Sequence, residues 1–406
     1  MNIVIVSNVD FPWNRGIDRA VRAFLEGGHN VFVAAENRKN LPRFDQYLDS
    51  VKIYRLKGSK NRFLLRIINN HVPFNIFWLF FLFKLAFKTK PDLIVVREIH
   101  LIPLVSLIRF LWGIPIFLDM REAYPYAVEV WGKSSLLHYI TRNIFLIKLF
   151  ERISVRLSDH IFVVAQSQVE RIIKSYSYKS NRISIVPNTV NKEYHHKASI
   201  LYEKRIRRIQ NNINKSPFVL RLVYIGEILP YRDIGTFIDG LTIAVERGAK
   251  VEFTIIGEGE DAYMKKLYQM IEKTSNVIMK KYLPADEVAS ALAEFDYGVI
   301  SYELNNHTNN TIPGKLCEYL SLGLPVISTK IKDIVDFNDS FDFGFFVSDS
   351  KDSNEVAGII CKIYEGRWDA LLRQAQEARR LYDEKMSYKT AISAYLDSLG
   401  KIKSSY

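Results

Sequence analysis

The sequence predicts an α/β chain of two Rossmann-like domains facing each other across a cleft. Short apolar strands alternate with helix-length stretches twice, over residues 2–187 and again over 219–329, without a repeat period. Between the two series, residues 191–216 are polar, charged and poor in pattern. A chain of 406 residues, 48% hydrophobic and 25% charged, is long enough for two domains with real cores. The expected parts are a first domain over 1–195, an interdomain segment over 196–216, a second domain over 217–385 and a closing helix over 386–406.

The first series opens with the strand 2–7, a loop, a helix near Ile17–Glu26 halted by Gly27 and Gly28, and the strand 31–35. The opening residues lack a basic n-region and their apolar run is short, so they read as a strand and not as a signal peptide. No GxGxxG follows that strand, which removes the dinucleotide fingerprint. Pro73–Phe87 is strongly apolar and aromatic, but it falls short of the roughly 20 residues a membrane span needs, and Lys84 interrupts it. Lys57, Lys60, Arg62, Arg66, Lys88 and Lys90 flank it. That pattern fits a helix lying on an anionic membrane through residues 57–90, or a core helix that is apolar all round because it is buried.

Residues 92–96 form a buried strand ending at Arg97 and Glu98. Residues 114–118 form another, running into Asp119 and Glu122. Ligands of open α/β sheets sit beyond the carboxyl ends of strands, so these residues are well placed for one. The plain alternative is that they cap the helix that follows. A long helix over 134–157, a strand over 160–165, a helix over 166–175 and a strand over 182–187 complete the series at Pro187-Asn188-Thr189.

The second series runs through strands at 219–226, 251–257, 276–281 and 296–301, with helices at 234–247 and through Glu294. It leads into Asn309–Thr329, which reads as loop, helix, tight turn and buried strand. Pro313 suits a first helical turn, Gly323 a left-handed closure, and Pro325 blocks continuation. The helix start offers free N–H groups and a positive dipole end, a ready seat for a phosphate or diphosphate. Lys315 adds a full charge in that turn, which opposes the dipole unless an anion sits there. Glu318 lies three residues on, on the same face, and a carboxylate suits two neighbouring ribose hydroxyls. In isolation such a pattern is more often a surface helix with a Lys–Glu pair.

The net charge of +12 points to an anionic partner: nucleotide phosphates, a membrane surface or nucleic acid. The charge run in 191–216 has sparse aromatics and no nucleic-acid motif, so nucleic acid is set aside. Two cysteines, Cys317 and Cys361, are too few for a disulfide framework or a metal site and fit a reducing compartment.

With its EYLSLGLPVIST continuation, the 309–329 segment resembles the retaining GT4-type glycosyltransferases of group 1 and the GT-B fold. Their pattern is P-x-K-x-x-E-Y followed by G-x-P-V-I. The resemblance covers about residues 1–365 and is strongest over 219–329. It implies a nucleotide sugar held by the second domain, an acceptor by the first, and a final helix that packs back on the first domain. In that family the loop after the second domain's first strand, here Gly226 to Gly235, carries basic residues for the diphosphate. Arg232 matches one of these, and Glu227 stands near the other. Lys281-Tyr282-Leu283-Pro284 matches the base-binding turn, where backbone around Tyr282 and Leu283 meets the nucleobase.

The first glutamate of the family's E-x7-E pair is replaced by Asn310, with Glu303 and His307 nearby. Asp119-Met-Arg-Glu122 resembles the acceptor-side D-x-x-E-x-x-P stretch, with Arg121 where histidine is more usual, and implies that Asp119 and Glu122 orient or deprotonate an acceptor hydroxyl. The loop after the first strand implies a cleft role for Arg15 and Gly16, and Pro187-Asn188-Thr189 stands where the family has P-N-G.

The implied reaction moves a sugar from a UDP- or GDP-linked donor to a glycan or polyprenyl-linked acceptor of bacterial-type surface polysaccharide synthesis, with retention. Leaving-group charge would rest on Arg232, Lys315 and the N–H groups of Thr311, Ile312 and Gly314 beside Pro313. There is no DxD element, so neither metal nor cofactor is expected. The expected place is the cytoplasm, at the inner membrane face. The rivals are a non-catalytic sugar-nucleotide-binding partner and a nucleotide-sugar 2-epimerase, which would want cleft acids and a histidine.

Overall fold

The computed structural model describes residues 1–61, 64–65, 68, 75–130, 143–213 and 218–401. Arg62, Arg66, the start of the 73–87 stretch, the first part of the 134–157 helix, the end of the 191–216 segment and the last five residues lie outside the described residues. The chain divides into two compact units, Met1–Pro187 with Lys389–Tyr406, and Asn188–Tyr388.

In the first unit the elements run β1 (Asn2–Ser7), α1 (Arg15–Glu26), β2 (Asn30–Ala35), β3 (Phe44–Tyr47), β4 (Val51–Arg55), α2 (Ile76–Thr89), β5 (Leu93–Val96), α3 (Ile102–Trp112), β6 (Ile116–Asp119), α4 (Tyr124–Val130), α5 (Ile144–Leu157), β7 (His160–Val163), α6 (Gln166–Tyr176) and β8 (Ile183–Ile185). The sheet order is β3-β4-β2-β1-β5-β6-β7-β8, parallel except for the β3–β4 edge pair. Strand order reverses between β1 and β5, so their carboxyl ends, Ser7 and Val96, mark the switch point. The strands are continuous apolar runs because both faces of the sheet are covered.

The helix expected over 73–87 is α2, capped by Asn75, whose side chain accepts from Phe77 and Trp78. It is apolar all round yet only half buried. Trp78, Leu82, Leu85 and Ala86 enter the core, while Phe80 and Phe87 stay 69% and 67% exposed.

The second unit runs α7 (Lys192–Asn212), β9 (Leu220–Ile225), α8 (Ile234–Glu246), β10 (Val251–Ile256), α9 (Asp261–Ile271), β11 (Val277–Lys280), α10 (Val288–Leu292), β12 (Tyr297–Ile300), α11 (Gly314–Ser321), β13 (Val326–Thr329), α12 (Lys332–Phe341), β14 (Gly344–Val347) and α13 (Ser353–Leu381). Its all-parallel sheet has the order β11-β10-β9-β12-β13-β14, with the switch between β9 and β12. Both units are Rossmann-like, as the sequence predicts.

The segment expected to connect the domains is different in kind. Its described part lies in α7, a helix of the second unit, capped by Asn191. The stripe Ala198, Arg205 and Ile209 is buried, and the Arg205 guanidinium donates to the carbonyls of Phe295, Asp296 and Gly323. A buried arginine reads as polar in sequence although its stem packs like an apolar side chain. The final helix, α14 (Tyr388–Gly400), is grouped from Lys389 onward with the first unit, where Leu396 lies against Gly27.

Candidate functional site

At the switch point of the second unit, β9 ends at Gly226, whose φ of +118° is a left-handed conformation suited to glycine. The next loop holds a 3-10 turn, Pro230–Arg232, tied to β12 by a Ser301 hydroxyl donating to the Arg232 carbonyl at 2.7 Å. The Arg232 guanidinium bonds the Tyr302 hydroxyl and lies 4.5 Å from that ring's centroid.

On the other side of the switch, α11 begins at Gly314. Pro313, expected inside the first turn, is instead its N-cap, because its ψ of 134° is extended while its carbonyl already accepts from Leu316. Gly323, at φ +60°, provides the left-handed closure. The loop before α11 is held by Asn188, whose side chain donates to the Ile312 carbonyl and whose own carbonyl accepts from the Cys317 thiol, both at 2.9 Å.

Lys315 is 8% exposed. Its Nζ lies 3.4 Å from the Tyr224 ring centroid and 3.5 Å from where a Cβ on Gly226 would stand. It has no hydrogen-bond acceptor among the described residues. Burial, reinforced by nearby Arg232, pushes its pKa well below the lysine range, and Glu318 pulls weakly the other way. A buried cation at a helix start, with a second cation near it, is an arrangement an anion would relieve.

The structure thus groups Gly226, Arg232, Lys315 and Glu318. Tyr282 is half exposed, and the Glu227 and Arg232 charges both act on its hydroxyl; Leu283 follows it, partly buried. Thr311 and Gly314 flank the buried Ile312–Pro313 pair at the mouth of α11. Asn310 closes a short 3-10 turn by donating to the Asn306 carbonyl at 2.8 Å. Of its two expected stand-ins, Glu303 pairs with Lys351 at 3.2 Å, whereas His307 keeps an unpartnered buried Nδ1 and is held below its usual pKa by burial and by Arg232. Tyr224 and Tyr302, the aromatic walls of the lysine, were not singled out in the sequence. Their aromatic character at the ends of two strands was the available signal.

In the first unit, Asp119 ends β6 and is 2% exposed. Arg121 pairs with it at 2.6 Å, Tyr395 of α14 donates to it at 3.3 Å, and Arg97 stands at 3.7 Å. Both carboxylate oxygens face these groups. Glu122 differs: its Oε2 has no hydrogen-bond partner among the described residues, and burial raises its pKa against the pull of Arg97. Gly16, near the start of α1, is buried, and a Cβ there would overlap the Arg97 guanidinium; Arg15 beside it is exposed. Arg97 was placed at a strand end by the sequence, but Tyr395 was not singled out, since a contact across 276 residues leaves no local pattern.

Two family models match the chain. Residues 14–194 match one described as Glycosyltransferase Family 4, and residues 220–366 match one described as Glycosyl transferases group 1. The chain belongs to the family 4, group 1 glycosyltransferases. This family member is 23% identical over 205 residues to the capsular polysaccharide biosynthesis glycosyltransferase CapM of Staphylococcus aureus, a match spanning 50% of the chain and 52% of that relative. The chain thus spans about half the length of this curated relative. Among solved structures, sucrose-phosphate synthase from Thermosynechococcus elongatus superposes with a TM-score of 0.73 at 12% identity, over 100% of this chain and 99% of that one. Anabaena HepE in complex with UDP-glucose superposes with a TM-score of 0.65 at 13% identity, over 98% and 99%. At these identities the likeness is one of GT-B fold.

Proposed function

We propose that this family member transfers a sugar from a nucleoside diphosphate sugar, UDP- or GDP-linked, to a hydroxyl of a glycan or polyprenyl-linked acceptor in surface polysaccharide synthesis. The observation that carries this reading is the buried ammonium of Lys315, unpartnered at the start of α11 beside the β9–β12 switch point. The capsular role in CapM's name and the UDP-glucose bound to HepE support the substrate class.

In the proposed step, the acceptor oxygen bonds the anomeric carbon as the bond from that carbon to the phosphate oxygen breaks. The electron pair leaves on the diphosphate, and the acceptor proton passes to a base or to that phosphate. Lys315, Arg232 and the N–H groups of residues 311 to 314 other than Pro313 offset the growing charge, Glu318 holds the ribose, and backbone at Tyr282 and Leu283 meets the base. Asn310 hydrogen-bonds the donor sugar without adding charge. Two side-chain cations take the part a divalent metal plays elsewhere, and the family resemblance favours retention. Acceptor recognition falls to the first unit, with Glu122 as its ionisable group, Asp119 fixing Arg121, and Arg15 and Gly16 at the rim. A lipid-linked acceptor places the protein on the cytoplasmic face of the membrane; no helix among the described residues is long and apolar enough to cross one.

The test is a thermal-shift screen against UDP, GDP and their sugars, followed by NMR of the product's anomeric configuration with chelator present. A shift with one nucleotide family and a retained configuration is expected. Failure of every nucleotide to move the midpoint overturns the donor site. Binding without transfer or slow donor hydrolysis points instead to a non-catalytic partner.

A further inference from the structure

Helices α4, α5 and α6 of the first unit surround an open cavity of about 420 Å3, far along the chain from every residue placed in the donor site. Tyr126, Lys148, Leu149, Arg152, Arg171 and Tyr176 line it. Its floor is built: Arg171 is 8% exposed, bonded through Nη1 to the fully buried Glu151, and its Nε has no hydrogen-bond partner among the described residues. The Tyr176 hydroxyl donates to the same Glu151 oxygen at 2.9 Å. Both bonds fall on Oε1 of Glu151, and its buried Oε2 has no hydrogen-bond partner among the described residues. Lys148 and Arg152, exposed at the rim, have no acidic partner among the described residues. They lie four apart on α5, where like charges repel unless an anion stands between them.

Leu149, on the cavity wall, is 51% exposed and belongs to a wide apolar face. Phe145 on α5 is 79% exposed and Phe110 on α3 is 87% exposed. Trp112 on α3 joins Phe83 and Phe87 of α2 through edge contacts at 5.5 and 5.0 Å. Lys84 and Lys88 lie on α2 among these rings. Exposed aromatics interspersed with lysines suit the boundary between acyl chains and head groups.

We propose that this cavity is a seat for the phosphate of an anionic membrane phospholipid, with the α2, α3 and α5 aromatics entering the same leaflet. Arg171, Lys148 and Arg152 take the phosphate oxygens, and Tyr126 and Tyr176 flank the head group. The inference rests on the membrane-surface part of the reading above and adds the site that would select charge.

The test is flotation of the full chain with vesicles of phosphatidylcholine alone and of an equal mixture with phosphatidylglycerol. The wild type is expected to float with the mixed vesicles far better than with the neutral ones. Lys148→Glu with Arg152→Glu should weaken mixed-vesicle binding about thirtyfold or more. Phe110→Ser with Phe145→Ser should weaken binding to both. Each variant's thermal shift with the donor nucleotide should match wild type, so a lost lipid site is told apart from a failed donor reading or a failed fold. Equal flotation on both vesicles, or charge-reversed protein floating like wild type, overturns the proposal. Release by millimolar inorganic phosphate also overturns it, assigning the cavity to a soluble phosphate.

Discussion

The ammonium of Lys315 rests 3.4 Å from the centroid of the Tyr224 ring. The ring's negative face is a weak substitute for an anion, and it holds the lysine in place over the glycine turn at Gly226.

Lys315→Met should lower nucleotide affinity on the order of 10- to 100-fold, the weight of a charge-assisted bond, without lowering Tm, since it removes a buried, unpaired charge. The pH dependence has a definite sign. Burial holds the free lysine's pKa well down, and an arriving phosphate raises it, so binding takes up a proton at any pH between the two values. Affinity therefore falls as pH rises through that window. Calorimetry in buffers of different ionisation enthalpy checks this, and proton uptake that persists in Lys315→Met would assign it to another group.

Arg205→Met should destabilise the second unit by about 3–5 kcal/mol, because it leaves the carbonyls of Phe295, Asp296 and Gly323 without their donor. Burial already draws its pKa from 12.5 down to about 10, so the guanidinium is kept for its bonds. Arg205→Lys should not restore stability, since an ammonium cannot reach three carbonyls in one plane. Urea unfolding of the three proteins measures the difference.

His160 should give the first unit an acid-side loss of stability. Its ring pairs with the Ser184 hydroxyl at 2.9 Å between Phe117 and Phe162, and burial lowers its pKa from 6.5 to about 3. The unfolded chain binds the proton more readily, so the folded state loses stability as pH falls from 6.5 toward about 3, by up to about 1.4 kcal/mol per pH unit. Above 6.5 the contribution is flat. His160→Gln should remove that slope in pH-dependent thermal unfolding.

Much of this was legible in the sequence, and the reasons for the rest are physical. Strands such as Leu93–Val96 and Val326–Thr329 show as apolar runs because the sheet is covered on both faces. α11 was legible because Pro313, Gly323 and Pro325 punctuate it. The buried stripe of α7 was not, since Arg205 is buried for the sake of carbonyls on other elements, and hydropathy counts it as solvent-facing. The half-exposed state of α2 was equally hidden: a helix apolar on every side has no preferred face until its neighbours are placed. Asp119 was legible as a carboxylate at the ligand end of its strand, but the cluster around it was not. Only the fold brings Arg97, Arg121 and Tyr395 onto it.

The Tyr395 hydroxyl on Asp119 also bears on how the protein is made. During translation the eight-stranded sheet emerges before the whole of the second unit, and α14, whose Tyr395 completes its polar centre, emerges only after it. A chain stalled within the second unit would therefore hold a first sheet whose Asp119 still lacks its Tyr395 contact.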